Sequence, residues 1–329
     1  MATAQNRTPV QAYEGKGGKL YSILDGMLYR PPPRPKPYVW GMEAFGDSLY
    51  QRPFVKQLDS PLVRTLWPQV YADIRGVRFV EGGRLRTSVH NGAIAKAQGF
   101  QFERFNAGLD WQHIGYSDPE CITDGICGTF RKQFASRLQV YDEPVYDLPP
   151  LPPPKDVGQG SRKLAVIRPV TIRKEWQAEA RAPDAKYIAE AADVLRERGY
   201  FVLSVAFLAQ GEEWLVRPAP NADVSLHGGE LTMWEIASLV QAASVCVGGV
   251  GFIIPLCAST HTPVYTVLGG FGGINSPASV IDPAMDQALF GWGVPDNYCR
   301  CTDKQHTGCD KTISSFSKQF TQWLDGKNL

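Results

Sequence analysis

The segment Val245-Cys246-Val247-Gly248-Gly249-Val250-Gly251 is the most informative part of this sequence. Its apolar half predicts a buried strand, and its glycines predict a loop that leads into a helix over Ile253–Ser259. Glycines let the backbone approach a ligand closely, and the free amides at a helix start attract a phosphate. The alternative is a tight turn that requires positive φ, since the loop matches neither the dinucleotide fingerprint nor the Walker motif.

Strands and helices alternate on both sides of this segment. Short apolar strands separated by helices of about 10–15 residues require crossover connections, which predicts a parallel sheet. The predicted strands are Leu164–Ile167, Phe201–Val205, Ala222–Leu226 and Val264–Leu268, and the predicted helices are Asp184–Arg198 and Thr232–Ala243. The C-terminal half is therefore predicted to be α/β.

The N-terminal half carries a weaker form of the same pattern. A strand at Tyr38–Trp40 leads through Gly46-Asp47 into a helix at Leu49–Leu58, and a further strand is predicted at Val77–Val80. This pattern predicts a second, smaller α/β unit. The stretch that follows has no clear period and is predicted to be irregular, with side chains that could line an acceptor pocket: Trp111, His113, Asp118 and Asp124.

Two proline clusters divide the chain, because proline lacks the amide donor and restrains the residue before it. One occupies 31–37, where an extended arm is predicted and a proline-rich ligand is the alternative; the other, with two glycines, occupies 148–160 and predicts a semi-rigid linker. The predicted parts are an arm (1–37), an N-terminal α/β domain (38–147), the linker (148–160), a C-terminal α/β domain (161–312) and a final helix (313–329).

Composition excludes several classes of protein. The chain has 329 residues, with 34 Lys and Arg against 33 Asp and Glu, so it is not a chain-wide polycation built for phosphate backbones. No apolar run is long enough to span a bilayer, and the first residues lack the apolar core of a secretory signal. Seven cysteines, an odd number, fit a reducing compartment. A cytoplasmic protein is the expectation.

Charged and polar residues follow two of the C-terminal strands. Arg168, Thr171, Arg173 and Lys174 come after the first strand, where cations either complement a diphosphate or form a solvated loop. His227 and Glu230 come after the third predicted strand. The carboxylate either accepts hydrogen bonds from a ribose or caps the next helix, and His227 taken alone is a structural residue.

Two further groups suggest chemistry. Asp47 lies at a strand-to-helix junction, where an aspartate either caps the helix or serves as a general base. Near the C-terminus, three thiols and one imidazole could complete a tetrahedral zinc shell, although one residue between the first two cysteines strains a shared metal. The alternative is a packed or redox-sensitive loop; the residues are Cys299, Cys301, His306 and Cys309.

Taken together, these loops resemble the heptosyltransferase-like glycosyltransferases of glycosyltransferase family 9. The resemblance is carried by Gly46–Leu58, by Lys174-Glu175-Trp176, and by the sweep from Gly229 through Gly248 and Gly251 to Gly269. It implies two Rossmann-like domains facing a cleft, the glycosyltransferase-B (GT-B) fold, with the acceptor bound by 38–147 and the nucleotide-sugar donor by 161–312. The family's Asp-Ser/Thr-Gly and its following His are replaced here by Gly249-Val250-Gly251 and Ile254, which leaves the donor sugar open.

The resemblance also implies roles. Asp47 matches the family's catalytic base, Lys174 its donor-phosphate lysine, and Gly251 the glycine whose amide meets the diphosphate, while Glu230 lies where the nucleoside is held. The remaining members of the implied donor site are Arg168, Thr171, Arg173, His227, Gly249 and Val250.

The implied function is transfer of a hexosyl or heptosyl group from a nucleotide-diphosphate sugar to a saccharide hydroxyl, such as one in lipopolysaccharide core. No cofactor or metal is required by this mechanism, because cations and helix-start amides stabilise the leaving diphosphate. Two alternatives stay open. One is transfer to a hydroxylated base in DNA, with phosphates held by a basic cluster (Arg30, Arg34, Lys36, Arg84 and Arg86). The other is a non-catalytic protein that binds nucleotide sugars or glycans.

Overall fold

The computed structural model of the chain describes residues 37–83, 85–174 and 179–329, without the side chain of residue 118, and the backbone of three strands near the N-terminus. Residues 1–36 and 37–329 are two separate units. The first contains a three-stranded antiparallel sheet of β1 (Ala12–Gly15), β2 (Lys19–Leu24) and β3 (Met27–Tyr29). The proline cluster at 31–36 lies outside the described residues. Every helix within those residues is too short or too polar to cross a bilayer.

The second unit begins with a four-stranded parallel sheet. Its strands lie in the order β6-β5-β4-β7, so the chain moves outward from β4 and then returns to pair with its other side. The elements are β4 (Tyr38–Trp40), α1 (Phe45–Val55), β5 (Leu62–Arg64), β6 (Arg78–Val80), α2 (Arg86–Ala97), β7 (Gln112–His113) and α3 (Asp118–Leu138), with a 3-10 turn at Pro68–Tyr71. The second α/β unit predicted for this half is confirmed.

A six-stranded parallel sheet follows, in the order β12-β10-β8-β13-β14-β15, which is the strand order of Rossmann nucleotide-binding sheets. Its strands are β8 (Leu164–Ile167), β10 (Phe201–Val205), β12 (Val224–Leu226), β13 (Val245–Gly249), β14 (Val264–Val267) and β15 (Phe290–Gly293), while β9 (Thr171–Arg173) and β11 (Glu213–Leu215) form an antiparallel pair beside it. The helices are α4 (Ala185–Glu197), α5 (Met233–Ala242), α6 (Ile253–Thr260), α7 (Pro277–Val280) and α8 (Phe316–Gly326).

Both faces of this sheet are buried, and alternate residues of each strand enter different cores. In β8, Leu164 and Val166 belong to the large core shared with the N-terminal sheet, whereas Ala165 and Ile167 belong to the core covered by α4 and α8. Strands buried on both sides are continuous apolar runs, which is why the sequence predicted them well. The predicted final helix corresponds to α8, which buries Phe316, Phe320 and Leu324 in that second core.

Several local predictions need correction. Helix α1 begins at Phe45 instead of Leu49, and the stretch predicted to be irregular after Trp111 forms the long helix α3, which has a kink at Gly125. Residues 148–160 contain neither helix nor strand, yet Leu148, Leu151 and Val157 pack against the large core. The division of the chain into five parts stays a prediction.

Candidate active site

Both parallel sheets reverse their strand order at one point, and ligands bind beyond the carboxyl ends of the strands at such reversals. In the C-terminal sheet the reversal lies between β8 and β13, which lead into Arg168 and the loop 249–251. In the N-terminal sheet it lies between β4 and β7, which lead towards Asp47 and Tyr116. The topology therefore brings the predicted base and part of the predicted donor site to binding edges.

Asp47 lies in the first turn of α1. The N-cap residue is Ala44, whose backbone amide donates a hydrogen bond to the Asp47 carboxylate, so Asp47 contributes to the cap without being the N-cap residue. The Tyr116 hydroxyl donates a hydrogen bond of 3.1 Å to Asp47 Oδ1. Burial raises the pKa of Asp47 to about 6, although the Tyr116 hydrogen bond and the positive charge of Arg181 oppose the rise. A carboxyl group that releases its proton near neutral pH is suited to general-base catalysis.

The start of α1 lies against the start of α6. A Cβ atom added at Gly46 would lie 3.0 Å from Phe252 Cα, and the Phe45 and Phe252 rings are 5.8 Å apart. Only glycine permits this approach of the two backbones without displacement. The two helix starts, one beside Asp47 and one after the loop 249–251, are thus in direct contact.

Arg181 connects the two sides of this contact. Its Nη2 donates a hydrogen bond of 2.8 Å to the Val250 carbonyl, and its charge lowers the pKa of Asp47. Sequence reasoning did not select Arg181, because it lies seven residues beyond Lys174 in a stretch without period. A basic residue just before the N-cap Asp184 of α4 is the available signal, and it is weak.

The glycines of the 248–251 loop are explained by close contacts. In this described loop none of Gly248, Gly249 and Gly251 has a positive φ, so the alternative of a turn requiring left-handed backbone is wrong. A Cβ atom at Gly248 would lie 3.1 Å from Arg168 Cβ, and one at Gly249 would lie 3.0 Å from Pro183 Cδ. The loop is packed between neighbouring segments at the carboxyl edge of the sheet.

Arg168 and Arg173, predicted to bind the donor, contact the fully buried carboxylate of Glu213. The Nη2 of Arg168 and the Nε of Arg173 lie 3.1 Å and 3.2 Å from its oxygens, and Arg86 Nη2, from α2, lies 2.6 Å away. Arg168 also donates to the Thr171 hydroxyl at 3.2 Å. Burial lowers the pKa of Arg168 to about 10, so it stays charged. Three guanidinium groups against one carboxylate leave this cluster net positive.

The same contact bears on the basic cluster considered for DNA. Arg86 donates to Glu213 and to the Phe207 carbonyl, so its side chain is engaged within the protein. The other four members of that cluster lie outside the described residues.

Lys174 is exposed, and its Nζ lies 3.6 Å from Glu212 Oε1 across the β9–β11 pair. The cation that the structure places on the 249–251 loop is Arg181. Glu175 and Trp176, which carry part of the family resemblance, lie outside the described residues. The donor-phosphate role of Lys174 stays a prediction.

His227 and Glu230 are each engaged locally. His227 Nε2 lies 2.9 Å from the Ser204 hydroxyl, and burial together with the charge of Arg168 lowers its pKa, so the imidazole is neutral at pH 7. Glu230 accepts a hydrogen bond of 2.8 Å from the Gly228 amide. The cap of α5 is formed by Thr232 and Glu235, which excludes the capping role considered for Glu230.

The cysteine-rich segment forms a compact set of metal-ligand atoms. The thiol sulfurs and an imidazole nitrogen of Cys299, Cys301, His306 and Cys309 all lie within 4.8 Å of one another. The Phe271 amide donates a hydrogen bond of 3.3 Å to Cys301 Sγ, as amides do at metal-bound thiolates. Three sulfurs and one nitrogen at this spacing fit a tetrahedral zinc or iron ion.

Comparison with known proteins gives matches among solved structures. No protein-family model and no curated protein matches this chain. Among solved structures, the iron-containing dodecameric glycosyltransferase TibC from enterotoxigenic E. coli H10407 is 13% identical, with 94% of this chain and 85% of that chain covered and a TM-score of 0.56. TibC in complex with ADP-D-beta-D-heptose is 15% identical, with 94% of this chain and 84% of that chain covered and a TM-score of 0.54. E. coli heptosyltransferase WaaC with ADP-2-deoxy-2-fluoro heptose is 14% identical, with 88% of this chain and 98% of that chain covered and a TM-score of 0.50.

These similarities establish the fold. The chain has the two-sheet α/β architecture of the heptosyltransferase-like, GT-B-type glycosyltransferases, as the resemblance in sequence implied.

Proposed function

We propose that this chain is a glycosyltransferase that moves a sugar from a nucleotide-diphosphate donor to a saccharide hydroxyl. One observation carries the proposal: Asp47, with a pKa of about 6, lies beside Arg181, which is bound to the loop 249–251 of the other sheet. A base and an anion-binding loop are the two parts that serve direct transfer of a sugar from a diphosphate to a hydroxyl.

The leaving diphosphate binds at the 249–251 loop. The amides at the start of α6 and the guanidinium of Arg181 supply hydrogen bonds and positive charge where the phosphate charge develops. The Glu213 cluster lies at the end of β8, and its excess positive charge favours the same anion. In this arrangement Lys174 is an outer cation, exposed at the end of the β9–β11 pair.

Asp47 removes the proton of the attacking hydroxyl. With a pKa of about 6, the Asp47 carboxyl group is mostly ionised at pH 7 and can accept the proton of the hydroxyl. Its raised pKa also makes it a stronger base than an ordinary carboxylate. The Tyr116 hydroxyl, whose own pKa burial raises well above its ordinary value, stays protonated and orients the carboxylate through the Oδ1 hydrogen bond.

The proposal is tested with purified chain and a panel of UDP-, GDP-, ADP- and CMP-sugars, with nucleotide release as the readout. ADP-sugars come first, since TibC and WaaC are the solved structures with ADP-linked heptoses. We expect Asp47→Asn to lower turnover about 10²–10⁴-fold and to keep nucleotide affinity, whereas Asp110→Asn, at an exposed position, leaves both unchanged. Nucleotide binding without turnover of any sugar would instead indicate the non-catalytic alternative.

We further propose that Cys299, Cys301, His306 and Cys309 hold a structural zinc or iron ion. A Cβ atom added at Gly270 would lie 2.1 Å from Cys309 Sγ, and the Gly270 amide donates to the carbonyl of Ala180, the residue before Arg181. An ion here would stabilise the segment that carries Arg181.

Elemental analysis of the purified chain tests the metal proposal. We expect about one zinc or iron per chain for the wild type and for His261→Gln, which lies on the surface away from the set. His306→Gln is expected to lower the metal content and the thermal midpoint together. Equal metal content in the two variants would exclude this site.

A further inference from the structure

Four rings form a continuous surface on one face of the N-terminal sheet, here called the ring platform, which reaches the carboxyl edge at its first and last members: Trp40, Phe105, Trp111 and His113. The Trp40 ring lies 4.5 Å from His113 and 5.6 Å from Phe105, which stacks on Trp111 at 5.5 Å. Trp111 is only 8% exposed and anchors the platform, whereas Phe105 is 40% exposed and His113 is exposed. The platform therefore presents aromatic surface to solvent on a buried support.

Two of the platform rings lie on the strands that lead towards Asp47 and Tyr116. Trp40 and His113 are paired in register at the ends of β4 and β7, the two strands of the reversal point. Tyr116, which hydrogen-bonds Asp47, follows His113 by three residues, so their Cα atoms are at most about 11 Å apart. The carboxyl end of the platform therefore lies near the residue that orients Asp47.

Most charges near the platform are paired, and the exposed Arg104 and Asp110, next to Phe105 and Trp111, are opposite in sign. Arg64 lies with Cζ 4.2 Å from the centre of the Trp40 ring and forms an ion pair with Glu43. Neighbouring cations of the same domain are also matched by carboxylates, in the pairs Arg78–Glu103 and Lys96–Glu81. A nucleic-acid backbone requires surplus cations, whereas a neutral saccharide requires apolar surface and few hydrogen bonds.

We infer that the ring platform binds the saccharide acceptor of the proposed transfer, through stacking of the apolar face of a sugar on Phe105 and His113. The inference rests on the proposed function for its link to Asp47. Aromatic rings provide this contact area at a small loss of conformational entropy, since each has two rotatable bonds.

The test measures binding of the labelled full-length chain to an array of immobilised neutral and acidic saccharides, with a short DNA duplex in solution as the competing class of ligand. The wild type and Tyr141→Ala, whose ring is 74% exposed outside the platform, are expected to retain the same saccharides. Phe105→Ala and His113→Ala are expected to bind these about tenfold more weakly. Thermal midpoints of all four proteins check that they fold.

Failure to retain any saccharide, or equal retention by Phe105→Ala and the wild type, would overturn the inference. Duplex binding that both platform variants lose would assign the platform to nucleic acid instead. Hydrolysis of the donor without an acceptor, measured as nucleotide release, reports on the proposed function alone. We expect its rate to be equal in Phe105→Ala and the wild type. Its absence from the wild type would refute the transferase without deciding what the platform binds.

Discussion

At the residue scale, the carboxyl group of Asp47 is held in an environment that disfavours its charge. Burial raises its pKa, and the Tyr116 hydroxyl and the Arg181 guanidinium recover only part of the lost solvation. A buried carboxyl group with a raised pKa is typical of functional sites, where a reactive group lowers the stability of the fold.

The first prediction concerns stability. Because the folded pKa is raised above the unfolded value, the folded state binds the proton more tightly, and stability falls as pH rises from about 4 to about 6. Asp47→Asn removes this loss and is expected to raise the free energy of unfolding by about 1–3 kcal/mol near neutral pH, with no gain at about pH 4. Urea unfolding at both pH values measures it, and a less stable variant at neutral pH would contradict the buried carboxylate.

The second prediction concerns Arg181. Its charge lowers the pKa of Asp47, so Arg181→Gln is expected to move the acid limb of the pH–rate profile, where activity rises with pH near 6, to higher pH. Donor KM is expected to rise as well, because the cation on the 249–251 loop is lost. The exposed Arg75→Gln is the control. An unshifted acid limb in Arg181→Gln would remove Arg181 from the site.

Local patterns in the sequence predicted some of these residues and not others. Asp47 and the glycines could be selected because each lies at the end of an apolar strand, where binding residues collect. Arg181 and Glu213 could not, because their roles depend on contacts with Val250 and Arg86 that are distant in the chain. Nothing local distinguishes the buried Glu213 from its exposed neighbour Glu212.

At the scale of elements, the contact between α1 and α6 sets the distance from the base to the donor loop. Gly46 lies within the first turn of α1, where alanine would normally favour the helix by about 0.5–1 kcal/mol. Its hydrogen instead faces the Phe252 backbone, which is not free to move as a flexible side chain is.

The third prediction follows from this contact. Gly46→Ala is expected to lower both the thermal midpoint and turnover, because the added Cβ forces α1 away from α6. Gly128→Ala in α3 is the matched control, since its Cβ would lie 3.5 Å from Asp124 Cβ, an ordinary contact. That variant is expected to be neutral or slightly more stable. A stabilised Gly46→Ala would show that the helix starts do not touch.

The two sheets differed in how well the sequence predicted them. Strands such as Phe201–Val205 are long and apolar and matched the structure, whereas β5 and β7 have three and two residues and lack a detectable period. Helix α3 was missed because its apolar face is interrupted by two glycines, at 125 and 128, and its buried residues follow no simple stripe.

At the scale of the whole molecule, the two parallel sheets are joined by buried polar contacts as well as by the shared core. Glu213 binds Arg86 of α2 and Arg168 after β8, so one carboxylate forms ion pairs with residues from both sheets. Removing one partner of such a cluster leaves uncompensated charge in the interior.

The fourth prediction tests this connection. Glu213→Gln is expected to lower the free energy of unfolding by about 3–5 kcal/mol, whereas Glu212→Gln, which breaks an exposed pair with Lys174, is expected to change it by about 0–1 kcal/mol. Denaturant unfolding at neutral pH measures both. Equal effects of the neighbouring substitutions would mean that the Glu213 cluster does not join the sheets.

The most direct measurement is a crystal structure of the chain with the nucleoside diphosphate that binds it best. We predict that the diphosphate contacts the amides of 249–251 and the Arg181 guanidinium, with the Asp47 carboxylate facing the position of the departing sugar. A diphosphate held away from that loop, with Asp47 on the far side of α1, would contradict the assignment of both base and donor site.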